Sequence, residues 1–80
     1  MKDQGIAMST YYHVQSALFD RRHWTLGKID KFLMKWHLYP VKEVHFGKTY
    51  YKMILVKENP RKKYRRRKLK NGVILIMGIN

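Results

Sequence analysis

The spacing of apolar residues changes along the chain, and each change marks a predicted element. Residues 11–19 alternate with the period of two that is typical of a strand. The alternation predicts two opposite faces: Tyr12, Val14, Ser16 and Leu18 on one, and His13, Gln15 and Ala17 on the other. The first predicted element is therefore a strand.

A helical period follows, from about Leu26 to His37. Thr25 is well placed to cap its first turn, and Pro40 prevents the helix from continuing. The apolar residues of one helical face predict a core contact: Leu26, Ile29, Phe32, Leu33 and Trp36.

The period returns to two after this helix. Lys42, Val44 and Phe46 share one face of a short strand, and Gly47-Lys48 offers a turn. Residues 49–57 form a stronger strand, because apolar residues occur on both of its faces. The closing strand, 73–79, is apolar and rich in β-branched residues.

Asn71-Gly72 is a hairpin signal, because both residues tolerate the positive φ of a tight turn. A two-residue turn here would make residues 64–70 the strand that pairs with 73–79. The elements together predict an α+β fold with one helix on a mainly antiparallel sheet of three to five strands. We expect residues 1–9 to form a loose tail and residues 10–80 to form one compact domain.

Charge is concentrated in one segment of this fold. The chain of 80 residues carries a net charge of +13 at neutral pH. Eight of the ten residues from Arg61 to Lys70 are basic, and none is acidic. Ten basic and five acidic residues lie elsewhere, a net charge of +5 over the other 70 positions. Such a run indicates a polyanion-binding segment or a solvated loop, and its place next to predicted strands favours a presented arm or edge strand.

Several segments, in this order, resemble a family of short uncharacterised proteins from phages and large DNA viruses. The matching segments are Ser16–Asp20, Trp24-Thr25, Phe32-Leu33 with Trp36, Tyr50-Tyr51, Tyr64–Lys68 and Gly72–Gly78. The resemblance extends over most of the chain from Tyr12 onward. It implies a viral origin and a compact α+β domain, and it implies no particular activity.

The sequence does not favour catalysis or metal binding. Its five acidic residues are scattered singly, without a close pair for general acid–base chemistry or for two metal ions. There is no cysteine, and the four histidines lack the spacing of a zinc site. No glycine-rich phosphate loop is present. We therefore predict no enzyme, no metal and no cofactor.

Nucleic-acid binding is the function class that the charges favour. Arginine binds phosphate bidentately, and an aromatic ring among the basic residues offers a stacking surface for a base. The candidate contact residues are Arg61, Lys62, Lys63, Tyr64, Arg65, Arg66, Arg67, Lys68 and Lys70, extended by Lys28, Lys31 and Lys35 on the helix and by Arg21 and Arg22. None of them specifies a base, so we expect contacts that are dominated by the backbone of DNA or RNA.

Three other functions use the same residues. The basic surface would also suit an acidic host or viral protein, as in an inhibitor of a host nucleic-acid enzyme or in a virion component. Residues 60–68 resemble a nuclear import signal. Binding to a membrane surface is disfavoured, because no basic amphipathic helix with exposed apolar residues is evident. The start of the chain leads into no apolar signal segment, so we expect an intracellular or virion protein that is not secreted.

Overall fold

The computed structural model of the protein describes residues 12–79, so the predicted tail at 1–9 lies outside the described residues. The elements in chain order are strand β1 (Tyr12–Asp20), helix α1 (Leu26–Lys35), and strands β2 (Glu43–Phe46), β3 (Tyr50–Ile54), β4 (Tyr64–Lys68) and β5 (Val73–Ile79). The strands form one antiparallel sheet in the order β2-β3-β1-β5-β4. The predicted α+β fold, with one helix on an antiparallel sheet, is confirmed.

The two faces of the sheet have different roles. On the helix side, Ala17 of β1 is paired with Met53 of β3 and with Leu75 of β5, and all three side chains are buried in the core. On the opposite face, called the open side, Leu18 is paired with Lys52 and with Ile74. The apolar core therefore lies between α1 and the helix side of the sheet.

A bulge in β1 reverses the alternation that the sequence predicts for this strand. Val14 is paired with Met77 but Ser16 with Ile76, so Gln15 is an extra residue. Val14 consequently lies on the helix side with Ala17, and the prediction that it shares a face with Ser16 and Leu18 is wrong. The extra residue is used structurally, since its carbonyl oxygen accepts hydrogen bonds from the N–H groups of residues 55 and 56 at 2.8 and 3.1 Å. These bonds draw the chain away from β3, which ends at Ile54 and not near residue 57.

Local hydrogen bonds define both ends of α1. Thr25 is the predicted cap, and its Oγ1 accepts a bond from the N–H of Lys28 at 3.3 Å. At the other end His37 has a φ of 56°, and the next N–H, of Leu38, bonds to the carbonyl oxygen of Leu33 at 2.8 Å. This is a Schellman ending with a histidine where glycine is usual. The helix therefore stops at Lys35, two residues before the predicted end.

An aromatic cluster holds α1 on the sheet. The rings of Phe19, Trp24 and Phe32 contact one another edge to face, with centroids 5.1–5.6 Å apart. Trp36 continues the cluster from Phe32 at 5.9 Å. The indole Nε1 of Trp24 donates a 2.6 Å hydrogen bond to the carbonyl oxygen of Asn71, which ties the start of α1 to the start of β5. Edge-to-face geometry is favourable for aromatic pairs beyond the area that they bury.

The predicted core face of the helix is correct in part. Ile29 and Leu33 are buried, and Phe32 and Trp36 are partly buried against the same core. Leu26 is 49% exposed, so its place in the predicted core was wrong. The reason is its position at the first turn, at the outer end of the helix, where it lines an open groove beside β2.

The hairpin between β4 and β5 forms where Asn71-Gly72 predicts it, with one difference. The loop contains three residues, Lys70–Gly72, because the N–H of Leu69 bonds to the carbonyl oxygen of Val73 at 2.8 Å. Asn71 and Gly72 have φ values of 67° and 74°, and a Cβ on Gly72 would lie 2.8 Å from the Cβ of Asp20. A two-residue turn would shift the register by one residue, which would exchange the two faces of β4.

Candidate nucleic-acid interface

The basic run forms the edge strand β4, whose charged side chains alternate between the two faces of the sheet. Arg65 and Arg67 are paired with Met77 and Leu75, which places both on the helix side. Arg66 and Lys68 are paired with isoleucines of the open side. All four basic residues are exposed. The four cations of β4 are therefore two pairs on opposite faces, and not one continuous patch.

No ion pair joins these cations to a carboxylate among residues 12–79, although Glu58 lines a cleft with Arg65 and Arg66. In that part of the chain Arg22 pairs with Asp20 and His45 is hydrogen-bonded to Glu43, and both contacts lie outside the run. Like charges this close repel one another within the Debye length, which is about 8 Å at physiological ionic strength. The strand nevertheless keeps a regular ladder with β5, so the backbone positions that carry the cations are fixed.

The basic residues that precede β4 are also held by hydrogen bonds. Asn59 accepts from the N–H of Arg61 at its Oδ1 (2.9 Å) and from the N–H of Lys62 at its carbonyl oxygen (3.0 Å). The hydroxyl of Tyr64 accepts from the N–H of Asn59 at 2.7 Å, and the Tyr64 ring lies beside Gly78. Tyr64 is thus half-buried and positions this loop. Its stacking on a base stays a prediction.

The lysines of α1 lie on the flank of the helix that is turned away from the groove beside β2. The opposite flank carries Asp30, which lines a groove with Val44 and Phe46 of β2. Lys28 stands one turn before Phe32 and lines a cleft with Asn71 at the start of β5. Lys31 and Lys35 share this flank because they follow Lys28 at three- and four-residue spacings.

The helix lysines and two arginines of β4 thus share the helix side of the sheet, and Lys28 lies near the hairpin that joins β4 to β5. We call this set the α1–β4 surface: Lys28, Lys31, Lys35, Arg65 and Arg67. The partly buried rings of Trp24, Phe32 and Trp36 belong to the same flank of the helix and to the segment that leads into it. Partly exposed aromatic rings on a surface that also carries cations are a suitable platform for nucleic-acid bases and phosphates.

Arg21 and Arg22 lie at the end of β1, and both have partners within the chain. The guanidinium of Arg21 donates to the carbonyl oxygen of Gly47 at 2.7 Å and lies 4.9 Å from the centre of the Tyr51 ring. Arg22 makes side-chain hydrogen bonds at 2.9 and 3.3 Å to the carboxylate of Asp20. These bonds, with one from the Arg22 N–H, lower the pKa of Asp20 to about 2. Both arginines hold the end of β1.

The open side has its own cations, one of which the sequence analysis missed. Arg66, Lys68 and Lys52 surround half-buried aliphatic residues, Leu18 and Ile76 among them. Lys52 is next to Leu18 in the register and half-buried. Lys52 is the one charged residue in a row of the strand that otherwise holds Tyr50 and Ile54, and this interruption is the signal that could have identified it.

Other chemistry has little support in this structure. Within residues 12–79 there is no group of three or more histidine or acidic side chains that could hold a metal ion. No helix in that range has the length and apolar character needed to cross a membrane.

Comparison with known proteins adds no relative. No protein-family model, curated protein or solved structure matches this chain, and the resemblance to phage and large-DNA-virus proteins stays a prediction.

Proposed function

We propose that this protein binds nucleic acid through the α1–β4 surface, with contacts that are mainly to phosphate and only weakly dependent on base sequence. The observation that carries the proposal is the ordered edge strand β4. It presents Arg65 and Arg67 on the side of the sheet that also carries α1 and its lysines, with no carboxylate paired to any of these cations among the described residues. We retain a virus-encoded origin as part of the proposal, on the resemblance described above.

The chemistry of this surface suits phosphate groups. The guanidinium groups of Arg65 and Arg67 can each make two parallel hydrogen bonds to a phosphate, and the helix lysines act as mobile point charges. Binding would release the counterions condensed on the nucleic acid, and this release is the main source of affinity for a basic protein without base readout. Affinities of such binding are typically about 10⁻⁴ to 10⁻⁶ M at physiological salt.

The test removes two helix lysines, because they belong to the α1–β4 surface only through the fold. Lys31→Ala/Lys35→Ala should weaken binding to a labelled duplex in a fluorescence-anisotropy titration. The matched control is Lys42→Ala/Lys48→Ala, which removes the same charge from exposed positions that flank β2. We expect a clear loss for the helix pair and a much smaller change for the control.

The same titration should be repeated with a single strand and with heparin. Nucleic acid bound more tightly than heparin at equal salt supports the proposal. Equal affinities for the two would reduce it to general polyanion binding. A chain that binds an acidic protein but neither duplex nor single strand would favour the alternative, a protein-interaction module that uses the same basic surface.

A further inference from the structure

The sheet has a second edge, strand β2, which differs from β4 in chemistry. Its four residues, Glu43–Phe46, are all exposed and include neither lysine, arginine nor proline. Proteins commonly protect an edge strand with such residues or with a bulge, because its free N–H and C=O groups otherwise pair with another strand. The β4 edge is protected by its four basic residues, whereas β2 is protected mainly by its short length. Its pairing is irregular only at its start, where the N–H of Lys42 bonds to the carbonyl oxygen of Ile54 at 2.8 Å although Glu43 is the register partner.

The direction of the free backbone groups of β2 follows from its pairing with β3. The N–H of Gly47 bonds to the carbonyl oxygen of Tyr50 at 3.0 Å, and the direction alternates along an antiparallel strand. His45 and Glu43 therefore direct their backbone groups toward β3. Val44 directs its N–H and C=O outward, away from the sheet.

Apolar side chains accompany these free groups on the helix side of the edge. Val44 is 41% exposed, Phe46 65% and Leu26 49%. They line a groove of about 500 Å³ whose floor includes the buried residues Ile29 and Met53. An edge strand beside an exposed apolar groove is a surface on which a further strand can add.

We propose that β2 pairs with β2 of a second copy of this chain, antiparallel and about a two-fold axis at Val44. This pairing places Val44 opposite Val44 of the second copy, and two hydrogen bonds join their backbones. Glu43 of each copy then faces His45 of the other on the open side, so the hydrogen bond that joins these two side chains at 2.9 Å within one chain can also form between the copies. The apolar grooves of the two copies adjoin.

Electrostatics favours the β2 edge over the β4 edge for contact between two copies. Two chains that each carry +13 repel strongly wherever their basic segments meet. Four strand spacings of about 4.8 Å separate β2 from β4, so the two β4 edges would lie about 40 Å apart in the dimer. This distance is several Debye lengths at physiological salt. Asp30 and Glu43 lie at the β2 edge, where they offset the nearby lysines.

The contact involves one short strand and a groove, and small interfaces of this kind associate weakly. We therefore expect a dissociation constant in the range of about 10⁻⁶ to 10⁻⁴ M. Sedimentation velocity of the full chain over this range should show conversion from 9.8 kDa to twice that mass. A single species of 9.8 kDa at the highest concentration would overturn the proposal.

A positive charge introduced at the two-fold axis tests the register of the proposed β2–β2 pairing. Val44→Lys places two ammonium groups opposite each other and should weaken association at least tenfold. The control is Met34→Lys, which replaces another exposed apolar residue, 63% exposed on α1, and should leave association unchanged. Association of Val44→Lys at wild-type strength would refute the pairing. Thermal melting of both variants establishes that they fold.

A cysteine cross-link gives an independent test, because the chain has no cysteine of its own. Residues in a hydrogen-bonded antiparallel pair have Cα atoms about 5.5 Å apart, a distance that a disulfide spans. Val44→Cys should therefore form a covalent dimer under mild oxidation, and Met34→Cys should remain monomeric on a denaturing gel. Equal cross-linking of both variants, or of neither, would contradict the proposed axis.

Discussion

The register of β4 makes a sharp prediction about which of its cations bind nucleic acid. Arg65 and Arg67 belong to the α1–β4 surface, whereas Arg66 and Lys68 are directed to the other face. Arg65→Ala/Arg67→Ala and Arg66→Ala/Lys68→Ala remove the same charge from adjacent positions of one strand. A binding surface on the helix side predicts unequal effects, while a solvated charged strand predicts equal ones.

The size of the difference follows from counterion release. Each phosphate contact on duplex DNA contributes about −0.9 to the slope of log K against log salt concentration. If a contact contributes nothing to affinity at 1 M salt, this slope means that it raises the affinity about fivefold at 0.15 M salt. Loss of the Arg65 and Arg67 contacts should therefore weaken binding about thirtyfold, or about 2 kcal/mol, and reduce the slope by about 1.8.

The assay is a fluorescence-anisotropy titration of a labelled duplex at four salt concentrations between about 0.05 and 0.3 M. We expect the Arg66→Ala/Lys68→Ala variant to lose less than about threefold and to keep the slope of the wild type within about 0.5. All four side chains are exposed, so both variants should melt like the wild type, which circular dichroism checks. Equal losses, or a larger loss for Arg66→Ala/Lys68→Ala, would refute the assignment to the helix side.

Three further predictions concern stability. Thr25→Ala should lower the free energy of unfolding by about 1 kcal/mol in urea denaturation, because Oγ1 caps α1, and an unchanged midpoint would contradict the role of this cap. His37→Gly should raise that free energy by about 1 kcal/mol, because glycine adopts the φ of 56° without steric cost, and a loss would show that the histidine ring contributes more than the backbone strain removes. The carboxylate of Asp20 has a pKa of about 2, below that of an unfolded chain, so it contributes stability above about pH 4 that is lost as the pH falls toward 2. Unfolding measured between pH 2 and 5 should show a smaller acid-induced loss in Asp20→Asn than in the wild type, and equal losses would count against the Arg22 partnership.

Hydrophobic periodicity was sufficient for much of the fold. The closing strand has the predicted limits, and the helix begins at Leu26 after its cap at Thr25. These elements are set by local features, namely the residue spacing, a capping side chain and β-branched composition. Local features of this kind are visible in a single sequence.

The errors arose where tertiary hydrogen bonds decide the backbone path. Gln15 forms a bulge because its carbonyl oxygen accepts from the chain that follows β3, and alternation alone gives no sign of a partner so distant in sequence. The hairpin signal at Asn71-Gly72 predicted the turn but not its third residue. That residue decides the face on which each cation of β4 lies, so the site depends on a detail that periodicity does not contain.

The candidate site was predictable as a set of residues but not as a surface. The basic run and the lysine flank of α1 are visible in the sequence, yet their placement on one side of the sheet required the fold. Arg21 was included with them, and the structure instead places its guanidinium on the carbonyl oxygen of Gly47. Charge alone does not distinguish a cation with an intramolecular partner from one without.

The salt dependence of the wild-type protein on duplex DNA tests the central claim most directly. Five cations on the α1–β4 surface predict a slope of log K against log salt concentration near −4.5, and near −3.5 on a single strand, where each contact contributes about −0.7. Cations of the loop that precedes β4 would make both slopes steeper. A slope shallower than about −1 on both nucleic acids would contradict phosphate binding by this surface.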